Sequence, residues 1–176
     1  MRDELVSVVI PTYNRAYCIA ESVGSVLRQT HDNLEVVVVD DGSTDNSLAL
    51  LRQWAEEDHR VKVFSRKNQG QSVARNEALR HVSGEWIYCL DSDDLLMPDA
   101  LSAAHAEATR LKADMLLFSG TIINEGGELI DDVQGTVFHN QRYIRPKALP
   151  SDKLLSGDLV MQILLSQFMF RAIARS

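Results

Sequence analysis

Short apolar runs recur along the first two thirds of the chain, and each is only four to six residues long. Runs of this length that are rich in β-branched residues are typical of strands buried on both faces of a parallel sheet. The predicted strands are residues 5–10, 34–39, 61–64, 86–90 and 115–118. The third of them alternates apolar and polar positions, so we expect it to lie nearer an edge of the sheet.

Apolar residues at helical spacing fill the gaps between these strands and predict four amphipathic helices. The helices are expected at about residues 17–28, from a cap at 43–45 to 57, after Gly70 to 82, and from Pro98 to 111. Strict alternation of strands and helices specifies a mainly parallel sheet with helices on both faces, a three-layer α/β/α arrangement. We expect Pro11 to end the first strand, because proline cannot donate to a ladder, and Gly84 to be a left-handed helix cap.

The pattern changes after residue 119. Residues 121–130 predict a hairpin, and residues 157–175 predict a helix that is apolar on nearly every face. Such a helix should be buried, either within its own domain or against a partner, which would be a further domain or a second copy in a homodimer. We therefore divide the chain into an α/β half, residues 1–120, and a second region, residues 121–176, that we expect to be incomplete.

Composition narrows the classes of function that fit. The chain has 176 residues, 45% hydrophobic residues and a net charge of −7, which argues against binding to nucleic acid. Cys18 and Cys89 are the only cysteines, so they form no disulfide framework and are expected to be reduced thiols. Without a visible signal peptide or an apolar run long enough to span a bilayer, we expect a cytoplasmic protein, if membrane-associated then peripheral on the inner face.

The candidate chemistry begins with carboxylates that follow the fourth strand. Asp91 and Asp93 come directly after an apolar strand, and in open α/β sheets ligands bind at the carboxyl ends of the strands. Two acids at this spacing can both reach one hard cation such as Mg²⁺ or Mn²⁺, which usually carries substrate phosphates as further ligands. The alternative is an acidic turn followed by a helix cap.

A second acid pair, Asp40-Asp41, follows the second strand and should lie at the same edge of the sheet. Clustered carboxylates repel one another unless a cation or hydrogen-bond donors satisfy them, and a metal-bound nucleotide diphosphate does this. The alternative is a turn plus a helix cap. Arg75, in the first turns of the third helix, could bind phosphate or pair with one of the acids. Tyr13 could stack on a base or simply pack in its loop, whereas the five histidines show no metal-ligand spacing and are expected at the surface or on helices.

Four of these segments resemble family-2 glycosyltransferases of the GT-A fold. They are the residues 6–15 (VSVVIPTYNR), 40–45 (DDGSTD), 70–76 (GQSVARN) and 90–94 followed by Met97-Pro98-Asp99, and Gln29-Thr30 also fits. They occur in the family's order over about residues 5–120. The resemblance implies a Rossmann-like GT-A fold, a nucleotide-sugar donor that is most often linked to UDP, and a divalent metal.

The resemblance also implies roles for individual residues. Pro11, Thr12, Tyr13 and Asp41 would surround the nucleoside, Arg75 would lie near the diphosphate or the acids, and Asp91-Ser92-Asp93 would be the Asp-x-Asp motif. Asp93 would be the direct metal ligand, with Asp91 beside it. The family inverts at the anomeric carbon while a carboxylate deprotonates the acceptor hydroxyl. The acceptor is expected to be a saccharide or a lipid-linked one, in cell-surface polysaccharide or glycolipid assembly.

The sequence departs from the family where the catalytic base is expected. Residues 121–176 hold four aspartates, none in a convincing match, and we assign no base. We expect a chain that stops before the base. A non-catalytic nucleotide-sugar-binding or assembly module is therefore an alternative. A nucleotidyltransferase fits less well because no glycine-rich loop follows the first strand. A response-regulator receiver also fits less well, because it needs a phosphoacceptor residue at the end of its third strand and this sequence has none there.

Overall fold

The computed structural model describes residues 4–117 and 168–171, which form six strands and four helices. The elements are β1 (Val6–Thr12), α1 (Ile19–Leu27), β2 (Leu34–Asp40), α2 (Ser47–Glu57), β3 (Val61–Ser65), α3 (Gln71–Ala78), β4 (Trp86–Cys89), α4 (Ala100–Leu111), β5 (Met115–Leu117) and β6 (Phe168–Arg171). Strands and helices alternate as predicted as far as β5.

The strands form one sheet in the order β3-β2-β1-β4-β6-β5. β1 runs parallel to both of its neighbours, and β2 runs parallel to β3. In the register of these strands Thr12 lies opposite Asp40, and Val9 lies opposite Cys89. The predicted α/β class with a mainly parallel sheet is therefore confirmed, and the third strand lies at the edge, as its alternating pattern predicts.

Strands β1, β2 and β4 are buried on both faces, which explains why they are almost continuously apolar. On one face Val9, Val37 and Ile87 pack against Ala74 and Ala78 of α3. The small alanine side chains let this short helix lie close to the sheet. The intervening residues of the strands point to the opposite face and are fully buried as well. Helix α2 packs on β2 and β3 and also contacts α1.

Pro11 does not end β1, contrary to our expectation, because the strand continues to Thr12. Alternate residues of a parallel strand direct their main-chain groups to opposite neighbours. The Thr12 carbonyl accepts from the Asp41 amide at 2.8 Å and so faces β2, which leaves Pro11 facing β4. The pairing with β4 ends at Val9, so the missing N–H of Pro11 interrupts no ladder.

The predicted C-terminal helix is wrong over its last part. Phe168–Arg171 is a strand, β6, whose neighbours in the sheet are β4 and β5. Met169 is fully buried there. A short apolar run has no period that separates a buried strand from a buried helix, and here pairing in the sheet decided the outcome. Residues 157–167, together with the predicted hairpin and the four late aspartates, lie outside the described residues.

Gly84 is not a left-handed cap, since only Gly42 and Gly70 among the described glycines have positive φ. A Cβ atom at Gly84 would lie 2.6 Å from the Leu5 carbonyl oxygen and 2.8 Å from the Ser7 nitrogen. The glycine is required by close approach to the start of β1, not by its dihedral angles.

The chain divides into two compact units, Met1–Leu116 with Met169–Ser176, and Leu117–Phe168. Almost all of the described residues belong to the first unit, so our division near residue 120 stays a prediction. Among the described helices, none has the length and hydropathy that crossing a bilayer requires.

Candidate functional site

The carboxyl ends of β1, β2 and β4 lie at one edge of the sheet, because the three strands are parallel neighbours. The loops that follow them carry most of the residues that the sequence proposed for the site. Pro11 and Thr12 are the buried end of β1, and Tyr13 after them exposes 43% of its surface. Tyr13 thus presents a ring at this edge, and stacking on a base stays a prediction.

The loop after β1 is fixed to the loop after β2. Asn14 adopts a left-handed conformation with φ of 51°, and its amide donates to Ser43 Oγ at 2.9 Å. Its side-chain oxygen accepts from the Thr44 amide at 2.8 Å. The next amide, of Arg15, donates to Ser47 Oγ at 2.8 Å. These bonds join the Asn-Arg segment after β1 to the Ser-Thr-Asp segment after β2, so the two loops form one hydrogen-bonded unit.

Asp40 and Asp41 are both buried, and their carboxylates do different work. Asp40 accepts from the Ser43 amide at 3.2 Å and from Ser65 Oγ at 3.3 Å, which holds the turn after β2 in place. Asp40 is therefore the turn residue that the alternative interpretation described.

Asp41 instead binds the loop that precedes α3. Its carboxylate accepts from the Gln69 amide at 3.1 Å and the Gly70 amide at 2.7 Å, and Arg66 Nε lies 3.3 Å away. Gly70 takes a φ of 94° in this turn, which an L side chain rarely adopts. Asp41 is 2% exposed, and its bonds hold the loop that precedes α3 in place.

Asp91 is buried and is neutralised from α3. Arg75 donates to Asp91 Oδ1 in a close ion pair, and Gln71 Nε2 donates to the same oxygen at 3.0 Å. Of the two roles considered for Arg75, the structure shows the pairing with an acid. Its guanidinium therefore stands where β4 ends, next to the Asp-x-Asp turn.

Asp93 differs from Asp91 because it is open to solvent, with 45% of its side chain exposed. Arg15 Nη2 lies 3.6 Å from Asp93 Oδ2, and the Arg15 side chain is itself 36% exposed. Between the two acids Ser92 is buried, and its carbonyl accepts from Cys18 Sγ at 3.5 Å. The turn thus directs one carboxylate inward and presents the other.

These residues fit a metal only if the substrate supplies part of the coordination. Across residues 4–117 and 168–171, no three His, Cys, Asp or Glu side chains converge as a ready cation site. Asp91 is already paired with Arg75, so the more exposed Asp93 is the candidate hard-oxygen ligand of the Asp-x-Asp pair. Mg²⁺ is commonly held by one or two carboxylates and completed by phosphates and water. The donor set suits such an ion and does not suit a metal held by protein alone.

The cysteines are thiols, as expected. Burial raises the pKa of Cys89 to about 11, and burial also raises the pKa of Cys18. Neither is therefore a thiolate nucleophile at neutral pH. His31 corrects the expectation that the histidines lie at the surface or on helices, because it is buried in a loop, with Nε2 3.0 Å from the Glu4 carbonyl oxygen.

The sequence did not single out Arg15, Arg66 or Gln71, although all three contact candidate acids. Arg15 and Gln71 stand inside the quoted motifs, but spacing alone does not show which acid they meet. Gln29 has a structural explanation: its amide donates to the Met97 carbonyl at 2.6 Å, and its oxygen accepts from the Leu101 amide at 3.0 Å. It joins the end of α1 to the Met97-Pro98-Asp99 segment.

Comparison with curated proteins places the chain among relatives that are longer. An uncharacterized glycosyltransferase of Rickettsia conorii is 36% identical over 159 residues, which are 86% of this chain and 26% of that protein. Chondroitin synthase of Escherichia coli is 46% identical over 100 residues, 57% of this chain and 15% of its own length. The chain therefore spans about a quarter or less of the length of these relatives.

Solved structures and a family profile give the same assignment. Staphylococcus aureus TarS 1–349 in complex with UDP-GlcNAc has a TM-score of 0.61 and 33% identity, over 68% of this chain and 35% of TarS 1–349. The Pyrobaculum calidifontis mannosyltransferase PcManGT in complex with GDP-Man and Mn²⁺ has a TM-score of 0.55 and 37% identity, over 58% and 32%. The profile named Glycosyl transferase family 2 matches residues 7–169. This chain belongs to glycosyltransferase family 2 and has the GT-A fold.

Proposed function

We propose that this chain is the donor-binding part of a metal-dependent glycosyltransferase that takes its sugar from UDP and transfers it with inversion to an acceptor hydroxyl. The observation that carries the proposal is the Asp91-Ser92-Asp93 turn at the end of β4. It buries one carboxylate against Arg75 and presents Asp93 at the edge where Tyr13 is exposed. Family membership supports the reaction class, and the edge of the parallel sheet is where α/β folds bind ligands.

Charge at the site supports a donor with a diphosphate. Although the chain carries a net charge of −7, three arginines contact the acids at this edge, namely Arg15, Arg66 and Arg75. Arginine is suited to phosphate oxygens because its planar fork donates two parallel bonds. The UDP-GlcNAc in TarS 1–349 and the GDP-Man and Mn²⁺ in PcManGT support the same ligand class here.

In this proposal each residue of the candidate site has a defined role. Tyr13 stacks on the base, and Asp41 holds the loop at Gln69-Gly70 beside it. Asp93 binds the cation, while Arg75 holds Asp91 in place. When bound, the metal supplies positive charge that stabilises the leaving diphosphate. Deprotonation of the acceptor hydroxyl needs a general base, which we do not assign to any described residue.

The acceptor in this proposal is a saccharide, free or linked to a lipid, in cell-surface polysaccharide or glycolipid assembly on the cytoplasmic side of the membrane. The family relation to a chondroitin synthase, whose name describes polymer synthesis, supports a saccharide acceptor.

Calorimetric titration of UDP into the chain, with Mn²⁺ and again with chelator, tests the donor site. We expect binding that needs the metal and that is weaker for GDP. Asp93→Asn should weaken metal-dependent binding by about tenfold or more. Asp32→Asn is the control, because it makes the same charge change at an exposed position before β2, away from the carboxyl edge. Equal affinity for UDP with metal and with chelator would refute the metal role of Asp93.

A further inference from the structure

The two acids of the Asp-x-Asp turn have different counter-ions. Asp91 is 10% exposed as a side chain and is held by Arg75 and Gln71 of α3. Asp93 is 45% exposed and faces Arg15, which comes from the loop after β1. The first pair is enclosed and directly hydrogen-bonded. The second lies in solvent with its charged atoms 3.6 Å apart, which is longer than the 2.7–2.9 Å typical of a charge-assisted hydrogen bond.

Arg15 combines a fixed main chain with an adaptable head group. Its amide donates to Ser47 Oγ at 2.8 Å, which fixes its main chain beside the loop after β2. Besides the ion pair with Asp93, its guanidinium has two long contacts among the described residues: Nη1 donates to the Asn14 carbonyl at 3.4 Å, and Cζ lies 6.0 Å from the centroid of the exposed Tyr17 ring. The buried Nε has no hydrogen-bond partner among the described residues. Little therefore holds the head group over Asp93, and an exposed pair of this kind is weak.

A divalent cation on Asp93 and the Arg15 guanidinium cannot share that carboxylate without strong repulsion between like charges. When the cation arrives with a diphosphate, negative charge appears beside the displaced guanidinium. We propose that Arg15 is a positioning residue that occupies Asp93 in the absence of metal and moves to the donor diphosphate when metal and donor bind. This inference rests on the proposed function.

The inference predicts opposite effects of one substitution on two ligands. Arg15→Gln removes the competing charge, so Mn²⁺ alone should bind about three- to tenfold more tightly, as measured by the decrease of free Mn²⁺ signal in electron paramagnetic resonance. The same variant should bind UDP about tenfold more weakly at saturating Mn²⁺, whereas uridine, which lacks the diphosphate, should bind as it does to the wild type.

Two controls make the test specific. Arg15→Lys keeps a cation and should stay near wild type for Mn²⁺ alone, while Arg52→Gln makes the same charge change on the exposed side of α2 and should alter neither ligand. Circular dichroism shows whether each variant is folded.

The outcomes separate the inference from the function on which it rests. If Arg15→Gln binds Mn²⁺ no more tightly than wild type, or if UDP and uridine lose affinity equally, the exchange of Arg15 is refuted while the donor site stands. If the wild type shows no metal-dependent UDP binding, the proposed function fails and the inference fails with it.

Discussion

Replacing Asp41 by asparagine should show that the loop at Gln69-Gly70 is held by a buried carboxylate. Asp41 accepts from the Gln69 and Gly70 amides and pairs with Arg66, and its side chain is 4% exposed. Asparagine keeps the volume, but its NH₂ group would face donors in place of one oxygen. Hydrogen bonds to charged groups contribute about 1.5–3 kcal/mol each. Removing one charge of a buried ion pair costs about 3–5 kcal/mol, because the other charge is left buried without compensation.

Arg66 is 19% exposed as a side chain and can recover part of its hydration, so we expect the free energy of unfolding to fall by about 2–4 kcal/mol. For a chain of this size that corresponds to a decrease of roughly 5–15 °C in Tm. Urea unfolding followed by tryptophan fluorescence measures it, because Trp86 is buried in β4. Asp32→Asn is the charge-matched control. Loss of less than about 0.5 kcal/mol relative to that control would show that Asp41 does not hold the loop.

Two further predictions concern stability. Burial by itself would raise the pKa of Glu35, but hydrogen bonds from Lys62, Ser7 and a backbone amide outweigh it and leave the pKa below its usual range. The contribution of Glu35 to the free energy of unfolding is therefore complete above the unfolded pKa of about 4.3 and is lost as the pH falls from there through the lower folded pKa. We therefore expect the Tm of the wild type to fall more steeply with decreasing pH than the Tm of Glu35→Gln. Gly84→Ala should destabilise by about 2 kcal/mol or more because its Cβ meets main-chain atoms at 2.6–2.8 Å, whereas Gly70→Ala, with open space but a φ of 94°, should lose about 1–2 kcal/mol; equal losses in urea unfolding would contradict this distinction.

The sequence predicted the elements whose signals are local. Apolar runs identified β1 to β5, and the acids after β2 and β4 could be placed at one edge because parallel strands end together. Features that depend on pairing could not be predicted. Whether Pro11 interrupts β1 depends on which neighbour it faces, and whether Phe168–Arg171 is a strand depends on a place in the sheet.

Charge partners were harder to predict because they come from distant loops. Arg15 and Asp93 are 78 positions apart, and nothing in their spacing links them. Arg75 and Asp91 are only 16 apart, and the helix between β3 and β4 made that pair foreseeable. The sequence motifs therefore predicted which residues lie at the carboxyl edge of the sheet, but not which acid pairs with which arginine.

The pairing of these charges changes the argument for a metal. From the sequence, carboxylates clustered at one edge were expected to repel one another unless a cation or hydrogen-bond donors satisfied them. In the structure Asp40 and Asp41 accept from amides, hydroxyls and Arg66, and Asp91 is neutralised by Arg75. The case for a metal therefore rests on Asp93, which is exposed and whose ion-pair partner among the described residues is the exposed Arg15.

A single accessible carboxylate holds Mg²⁺ or Mn²⁺ weakly, since these ions need further oxygen ligands. The diphosphate of a nucleotide sugar supplies such ligands, and it also gives the displaced Arg15 a new partner. Metal and donor should therefore bind cooperatively, and thermodynamic linkage requires that each raise the affinity of the other by the same factor. If Mn²⁺ alone were found to bind as tightly as Mn²⁺ in the presence of UDP, Asp93 could not be acting as the lone protein ligand of a shared site.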